Sequence, residues 1–342
     1  MATLSSGQFN LLDLAQLPKN SEASDVINLL SQYNPILEDA PAFECNMGTH
    51  HKTTVLTGLP TPTWGKLYQG VAATKGKRQS VTDTTGFLEA ASEVDERLLD
   101  PIESAEDKAS VMIQEAAAHL EAMSQEAATA MFYHDTATDP EKPMGFAPRF
   151  NDGLASRAEN AGQIINGGGS ASDNTSIWMI TWDRMASHLI YPKTGTLGIQ
   201  RIPRGKVVSS DASGNSYFVE REDFKWHMGL SVRDWRYVSR VANIDVQNLN
   251  EDATGSSANL LELMTNMYYK HHGRRNMKGR TFIYVNTTIM KFLDFQARNV
   301  PKNLELQYSQ TGPNAQEVLY YRGIPIRECD ALIDSEAVVP FV

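Results

Sequence analysis

The chain has 342 residues, of which 41% are hydrophobic and 21% charged, a globular composition that excludes disorder and collagen-like repeats. Its 41 Asp and Glu against 31 Lys and Arg leave a formal charge of −10, which excludes tight nucleic-acid binding over the whole surface. No apolar run reaches the roughly 18 residues of a transmembrane helix. Residues 1–16 lack the basic and then apolar pattern of a secretory signal, and two cysteines, Cys45 and Cys329, are too few for a disulfide framework. The length suggests about two domains.

Residues 1–48 read as an arm with short elements. Ser24 and Asp25 can cap a brief helix through Val26, Ile27, Leu29 and Leu30, which stops before Asn34-Pro35. From Asn46 to Thr82 the chain holds five cations, Lys52, Lys66, Lys75, Lys77 and Arg78, and no Asp or Glu. This segment is rich in threonine, and β-branched residues favour extended backbone. The expected form is a long two-stranded ribbon over 51–59 and 63–71, with a tip near 75–78 and a return through 79–88. Such a ribbon is marginal alone and needs something to lie on. Cys45, His50 and His51 supply three soft ligand types without a fourth at finger-like spacing, so a polar loop entering a strand is the preferred reading.

The next stretch reverses these features. No glycine occurs from Phe87 to Met144, and the segment from Glu89 to Glu126 carries eleven acids against Arg97 and Lys108, a net of −9. Ser104 and Asp107 resemble a capping box. Ala109, Met112, Ile113, Ala116, Leu120, Met123, Ala127 and Ala130 then recur in steps of three and four, so a helix over 105–132 is expected, roughly 40 Å long. Its narrow, small-residue stripe suits close packing on a sheet. His134, Asp135 and Asp139 follow its end, where capping explains them better than acid–base chemistry.

Beyond Asp139-Pro140 the pattern is α+β. Strands are expected over 177–181, 226–232, 235–244 and 281–285, with 317–321 pairing to 324–328 across Arg322-Gly323. Ser257 is placed to cap a helix through Leu260, Leu261, Met264, Met267 and Tyr268, and Thr287 or Thr288 a second through Phe292 and Phe295. Tyr268 to Arg275 is the one basic aromatic cluster. It could stack on nucleic acid, but a helix C-terminus with cations at its negative end is the favoured explanation.

Catalytic signatures are missing from the chain. Gly70 to Arg78 is the nearest approach to a phosphate loop, with one residue too many between the glycines and Arg78 where Ser or Thr should stand. Gly167-Gly168-Gly169 lacks dinucleotide spacing, and no G-x-S-x-G or H-E-x-x-H occurs. Two other classes stay open: a nucleic-acid-binding protein using the basic ribbon over 52–78 and the 270–275 cluster, and an enzyme with an unrecognised site.

The order of an N-terminal arm, a protruding basic ribbon, a long acidic helix and a following α+β region resembles the major capsid proteins of tailed bacteriophages, which share the Hong Kong 97 capsid fold. Local stretches resemble that family too: Asn34-Pro-Ile-Leu-Glu38, Thr57-Gly-Leu-Pro-Thr-Pro-Thr-Trp64, Ser92-Glu-Val-Asp95, Thr138-Asp-Pro-Glu-Lys-Pro-Met-Gly145 and Gly229-Leu-Ser-Val-Arg-Asp-Trp235. The closing Gly323-Ile-Pro-Ile-Arg-Glu, followed by Asp330 and Glu336, is similar to the C-terminal strand passage of many members. Each motif is short and structural; the ordered set carries the resemblance.

The resemblance implies an N-terminal arm at 1–48 and an extended β-hairpin, the E-loop, at 49–88. A peripheral domain with its spine helix would occupy 89–149 and 317–342, and a mainly axial domain 150–316. It implies self-assembly as hexamers and pentamers into an icosahedral shell around double-stranded DNA, without a cofactor, metal, catalytic residue or membrane. A scaffolding protein in trans and a portal protein are the expected partners, a decoration protein a further one, with packaged DNA enclosed but not tightly bound. The location would be the virion shell, after synthesis in the bacterial host cytoplasm. The expected inter-subunit contact uses Lys52, Trp64, Lys66, Tyr68, Lys75, Lys77 and Arg78 of the E-loop against an acidic partner surface at Glu89, Glu93 and Glu96. By position Lys75 or Lys77 could also crosslink to a neighbour's asparagine, although the sequence shows no partner.

Overall fold

The computed structural model describes residues 32–341, apart from 103, 212, 253, 254, 256, 277, 300–305 and 310–317. The helix expected after Ser24 lies outside the described residues. Two compact units are distinguished: one contains Phe87–Ala128 and Thr196–His227, the other Tyr33–Gly86, Thr129–Gly195 and Met228–Val342.

In the first unit an antiparallel hairpin joins the strands Gln200–Ser210 and Ser216–Val232, from Gln200 opposite Lys225 to Ser210 opposite Ser216. Sequence periodicity missed most of it. The usable signal was the turn chemistry after Ser210: the Asp211 carboxylate accepts from the N–H groups of Ser213 and Asn215, and Gly214 takes φ +84°. The strand Gly86–Asp95 neighbours Ser216–Val232 in the sheet. Asp95 then caps the short helix Glu96–Leu99.

The long helix runs Ala105–Tyr133 and is opened by the Ser104 hydroxyl, which accepts from the Glu106 N–H at 3.2 Å. Its buried residues correct the expected stripe. Ala116, Met123, Ala127 and Ala130 are buried, whereas Ala109, Ile113 and Leu120 are exposed and Val111 is buried instead. Two separate contacts explain the shift. Val111 packs with Val94, Leu98 and Leu99 at one level, and Ala116 and Met123 meet Phe224 at another. A single straight stripe would have required one continuous partner.

The second unit is organised around the strand Asn174–Trp182, every residue of which is buried. It pairs antiparallel with Val238–Asp245 on one side and Arg280–Val285 on the other. Ile324–Glu328 adds parallel to Arg280–Val285, followed by Val318–Tyr321 and Leu306–Ser309. Alternation along the central strand sends its side chains to opposite faces. Ile177 and Met179 join Met264, Met267, Ile289 and Leu293 of the helices Leu260–Lys270 and Thr287–Asn299. Trp178 instead meets Phe132, Phe146 and Phe150 at ring-centroid distances of 5.8–6.2 Å. Both expected caps move by a residue or two: Asn259 accepts from Glu262 N–H, and Asn286 from Ile289 N–H. Asparagine offers the same side-chain acceptor as serine or threonine, so composition alone did not separate the candidates.

The C-terminal segment is pinned to this unit by a buried ion pair. Glu336 and Arg240, each with a side chain 4% exposed, lie 2.7 Å apart. Glu336 also accepts from Tyr133 Oη at 2.6 Å and from Ser176 Oγ. Arg240 donates to the Phe150 carbonyl at 2.7 Å and rests its guanidinium 4.9 Å over the Trp178 ring. Charge, hydrogen bonds and cation–π contact together satisfy two groups that could not be buried singly.

Candidate functional site

The basic segment forms the expected ribbon with different strands. His50–Gly58 pairs antiparallel with Lys77–Thr84, from His50 opposite Thr84 to Gly58 opposite Lys77. No strand covers 63–71. Residues 59–76 instead form an irregular tip, punctuated by Pro60 and Pro62, which cannot donate to a ladder. The strand Gly86–Asp95 belongs to the large sheet, so the expected return through 79–88 is really two strands broken at Thr85.

The root of the ribbon is tied down within the second unit. Asp83, 3% exposed, accepts from Arg149 Nη1 at 2.7 Å and from Ser231 Oγ at 2.8 Å. Thr85 donates through both its N–H and its hydroxyl to the Thr49 carbonyl. Gly229 lies so near the chain at Thr84 that a Cβ would stand 2.6 Å from the Thr84 carbonyl oxygen.

At the tip of the ribbon the side chains are uncovered. Trp64 is 95% exposed, Leu67 89% and Tyr68 105%, and Tyr68 takes φ +65°. Lys66 and Lys75 share the tip; Lys52, Lys77 and Arg78 stand on the paired strands, and all five cations are exposed. Lys77 and Arg78 therefore sit where pairing ends, not at the tip. Large apolar side chains projecting together into solvent mark an interaction surface.

The acidic residues tell a different story. Glu89 pairs with Lys225 at 3.0 Å, Glu93 with Arg221 at 2.8 Å, and Glu96 with Lys206, all inside the first unit. Arg221 and Arg204 also hold Asp223 below the usual carboxylate range through their hydrogen bonds. The cations facing the acidic strand thus come from the 200–232 hairpin, more than a hundred residues later in the chain. As partners for a second copy, these three carboxylates are shared rather than vacant.

The basic aromatic cluster is largely consumed internally. Arg274 lies 4.9 Å over the Tyr269 ring and Arg322 5.0 Å over Tyr268. His271 is buried, bonded to Thr181 Oγ1 at 2.8 Å and Ser239 Oγ at 3.1 Å, and burial pulls its pKa down to about 3. Burial pushes the Cys45 thiol up to about 11 and Cys329 up to about 12, which leaves both as thiols at neutral pH. His51 stands in an edge-to-face ring contact with His188 at 5.5 Å.

Comparison with known proteins places this geometry. The profile of the family described as major capsid protein GP7 matches residues 18–340. A near-atomic structure of bacteriophage Epsilon15 contains a chain 32% identical, with a TM-score of 0.78, covering 99% of this chain and 99% of that one. The bacteriophage JBD30 capsid shows a TM-score of 0.49 at 11% identity, covering 94% of this chain and 99% of that one. No curated protein matches the sequence. The family match spans nearly the whole chain, and among the described residues a ribbon, a long helix and an α+β region follow one another in the expected order. The chain belongs to the major capsid protein GP7 family, with a Hong Kong 97-like capsid fold.

Proposed function

We propose that this major capsid protein associates as hexamers and pentamers into the icosahedral shell of a tailed phage, with its ribbon as an inter-subunit arm. The observation carrying the arm's role is the exposure of Trp64, Leu67 and Tyr68 at the end of a ribbon whose root is fixed by Asp83 and Arg149. Covering a large apolar side chain contributes roughly 1.5–3 kcal/mol, while an exposed ion pair contributes about 0.2–1 kcal/mol. Trp64 and Tyr68 are therefore the anchors, and Lys52, Lys66, Lys75, Lys77 and Arg78 set register and salt sensitivity. The acidic surface around Glu89, Glu93 and Glu96 of a neighbouring copy complements them; its own surface pairs are weak enough to be shared. Ile113 and Leu120, exposed on the long helix, add an apolar strip to the same kind of contact.

In this reading the role is structural rather than catalytic. The peripheral region comprises 89–149 and 317–342, and the axial region 150–316. A scaffolding protein acts in trans, a portal protein occupies one vertex, and a decoration protein can cover the outside. The −10 charge suits a shell that encloses DNA without gripping it, assembled in the host cytoplasm.

The test is particle formation. The chain expressed with its scaffold should give capsomers or shells by negative-stain microscopy, and a strictly monomeric product defeats the proposal. Reversing Lys75, Lys77 and Arg78 to Glu should leave thermal unfolding unchanged but weaken assembly. Assembly equal to the parent at low salt would overturn the ribbon's electrostatic role.

A further inference from the structure

We propose that the cleft at the root of the ribbon binds a small tetrahedral oxyanion of the phosphate class, which clips the ribbon to the sheet beneath it. The cleft encloses about 490 Å³ in the second unit. Three separate segments bring cations to it: Lys52 from the ribbon strand His50–Gly58, Arg184 from the turn before the strand Ser187–Tyr191, and Arg233 from the turn after Ser216–Val232.

None of the three has an ion-pair partner among the described residues. Arginines elsewhere in the chain do: Arg149, Arg201, Arg204, Arg221, Arg236 and Arg240 each face a carboxylate at 2.6–2.8 Å. Arg233 donates instead to the Arg184 carbonyl at 3.2 Å, and the Arg184 guanidinium lies 5.9 Å over the Phe43 ring. Among the described residues Glu44 is the only carboxylate in the lining. Three converging cations against one acid repel unless an anion joins them.

Histidines complete the lining. His188 is 1% exposed and has no side-chain hydrogen-bond partner, the Asp183 backbone serving at most one of its ring nitrogens; the buried Nδ1 of His51 is unmatched as well. The two rings stand edge to face at 5.5 Å. Burial, with His51 and Arg233 adding, holds His188 down at about 4 against the opposing pull of the Asp183 backbone and Asp83. His51 is lowered by burial, Arg233 and Arg184, with Asp83 opposing. Both rings thus feel net positive surroundings. An unmatched polar side chain buried at a cation-lined cleft calls for a counter-group. An oxyanion of the phosphate class matches this lining, because its oxygens can accept from the cations and from the ring N–H groups at once.

Occupancy would join ribbon residues His51 and Lys52 to Arg184, His188 and Arg233 of the sheet side. The anion would also favour the protonated rings. The test compares the full chain in inorganic phosphate and in chloride at equal ionic strength, across a pH series that runs from neutral down through the imidazole range. It reads imidazole resonances by NMR and the thermal midpoint.

Phosphate should raise the pKa of His188 and His51 and raise the midpoint, where chloride does neither. Arg184→Gln and Lys52→Gln, both at exposed side chains that folding can spare, should each weaken phosphate binding about tenfold or more, the scale of a charged hydrogen bond. Arg204→Gln, in the other unit, should leave it unchanged. Equal responses to phosphate and chloride, or full phosphate binding in the Arg184→Gln/Lys52→Gln double variant, would overturn the site.

Discussion

Replacing Glu336 by Gln removes one charge from the pair that pins the C-terminal segment. Arg240 then remains as a cation 4% exposed, with only neutral oxygens around it. Gln can keep neutral contacts to Tyr133 and Ser176, worth about 0.5–1.5 kcal/mol each. The lost charge dominates, because breaking a buried pair costs about 3–5 kcal/mol. Against a total stability of about 5–15 kcal/mol, that is a large fraction. Trp178 provides a local probe, since the Arg240 guanidinium sits 4.9 Å over its ring. Urea unfolding followed by tryptophan fluorescence should show an early transition in E336Q, together with faster proteolysis after residue 330. The double variant R240M/E336Q, which removes both charges, should regain at least half of the loss. A single variant within about 1 kcal/mol of the parent, or a double variant no better than the single, would refute the claim that an uncompensated charge is the cause.

Two further outcomes are expected. The folded pKa of His188, about 4, lies below the usual value of 6.5, so on acidification the unfolded chain takes up its proton first. Stability should be level above about pH 6.5 and fall toward pH 4, by up to roughly 3 kcal/mol for this residue. Thermal midpoints of H188Q measured in chloride across that range should show a shallower fall, and an unchanged slope would count against it. Gly229→Ala places a Cβ 2.6 Å from the Thr84 carbonyl oxygen, which should cost about 1–3 kcal/mol and expose the ribbon root to protease. The control Gly162→Ala, whose Cβ meets nothing within 4 Å, should be near neutral by the same thermal scan.

Element type was legible wherever one periodicity ran long enough. The long helix announced itself by its glycine-free stretch and its three-four spacing, and the strands at 177–181 and 281–285 were legible too, while the strand expected as half-buried at 235–244 is Val238–Asp245 and almost wholly buried. The ribbon was legible from composition, as a segment with five cations, no acids and too few apolar residues for a core. Its register was not. Threonine-rich strands have weak facial contrast, so nothing local distinguishes 63–71 from Lys77–Thr84 as the partner of His50–Gly58. The hairpin Gln200–Ser210 with Ser216–Val232 escaped for a related reason, since charged residues interrupt its alternation.

The sequence by itself determined which segments extend, which coil, and the net charge each carries, because these follow from local backbone preference and composition. Only tertiary structure decided which charges meet. Glu89, Glu93 and Glu96 find Lys225, Arg221 and Lys206 across more than a hundred residues of chain. Lys52, Arg184 and Arg233 converge on one cleft, and Glu336 reaches Arg240 in the core. Coulomb interaction and desolvation depend on distance and burial, not on position along the chain. A run of acids therefore reads as an open surface until the fold shows which cations already stand beside it.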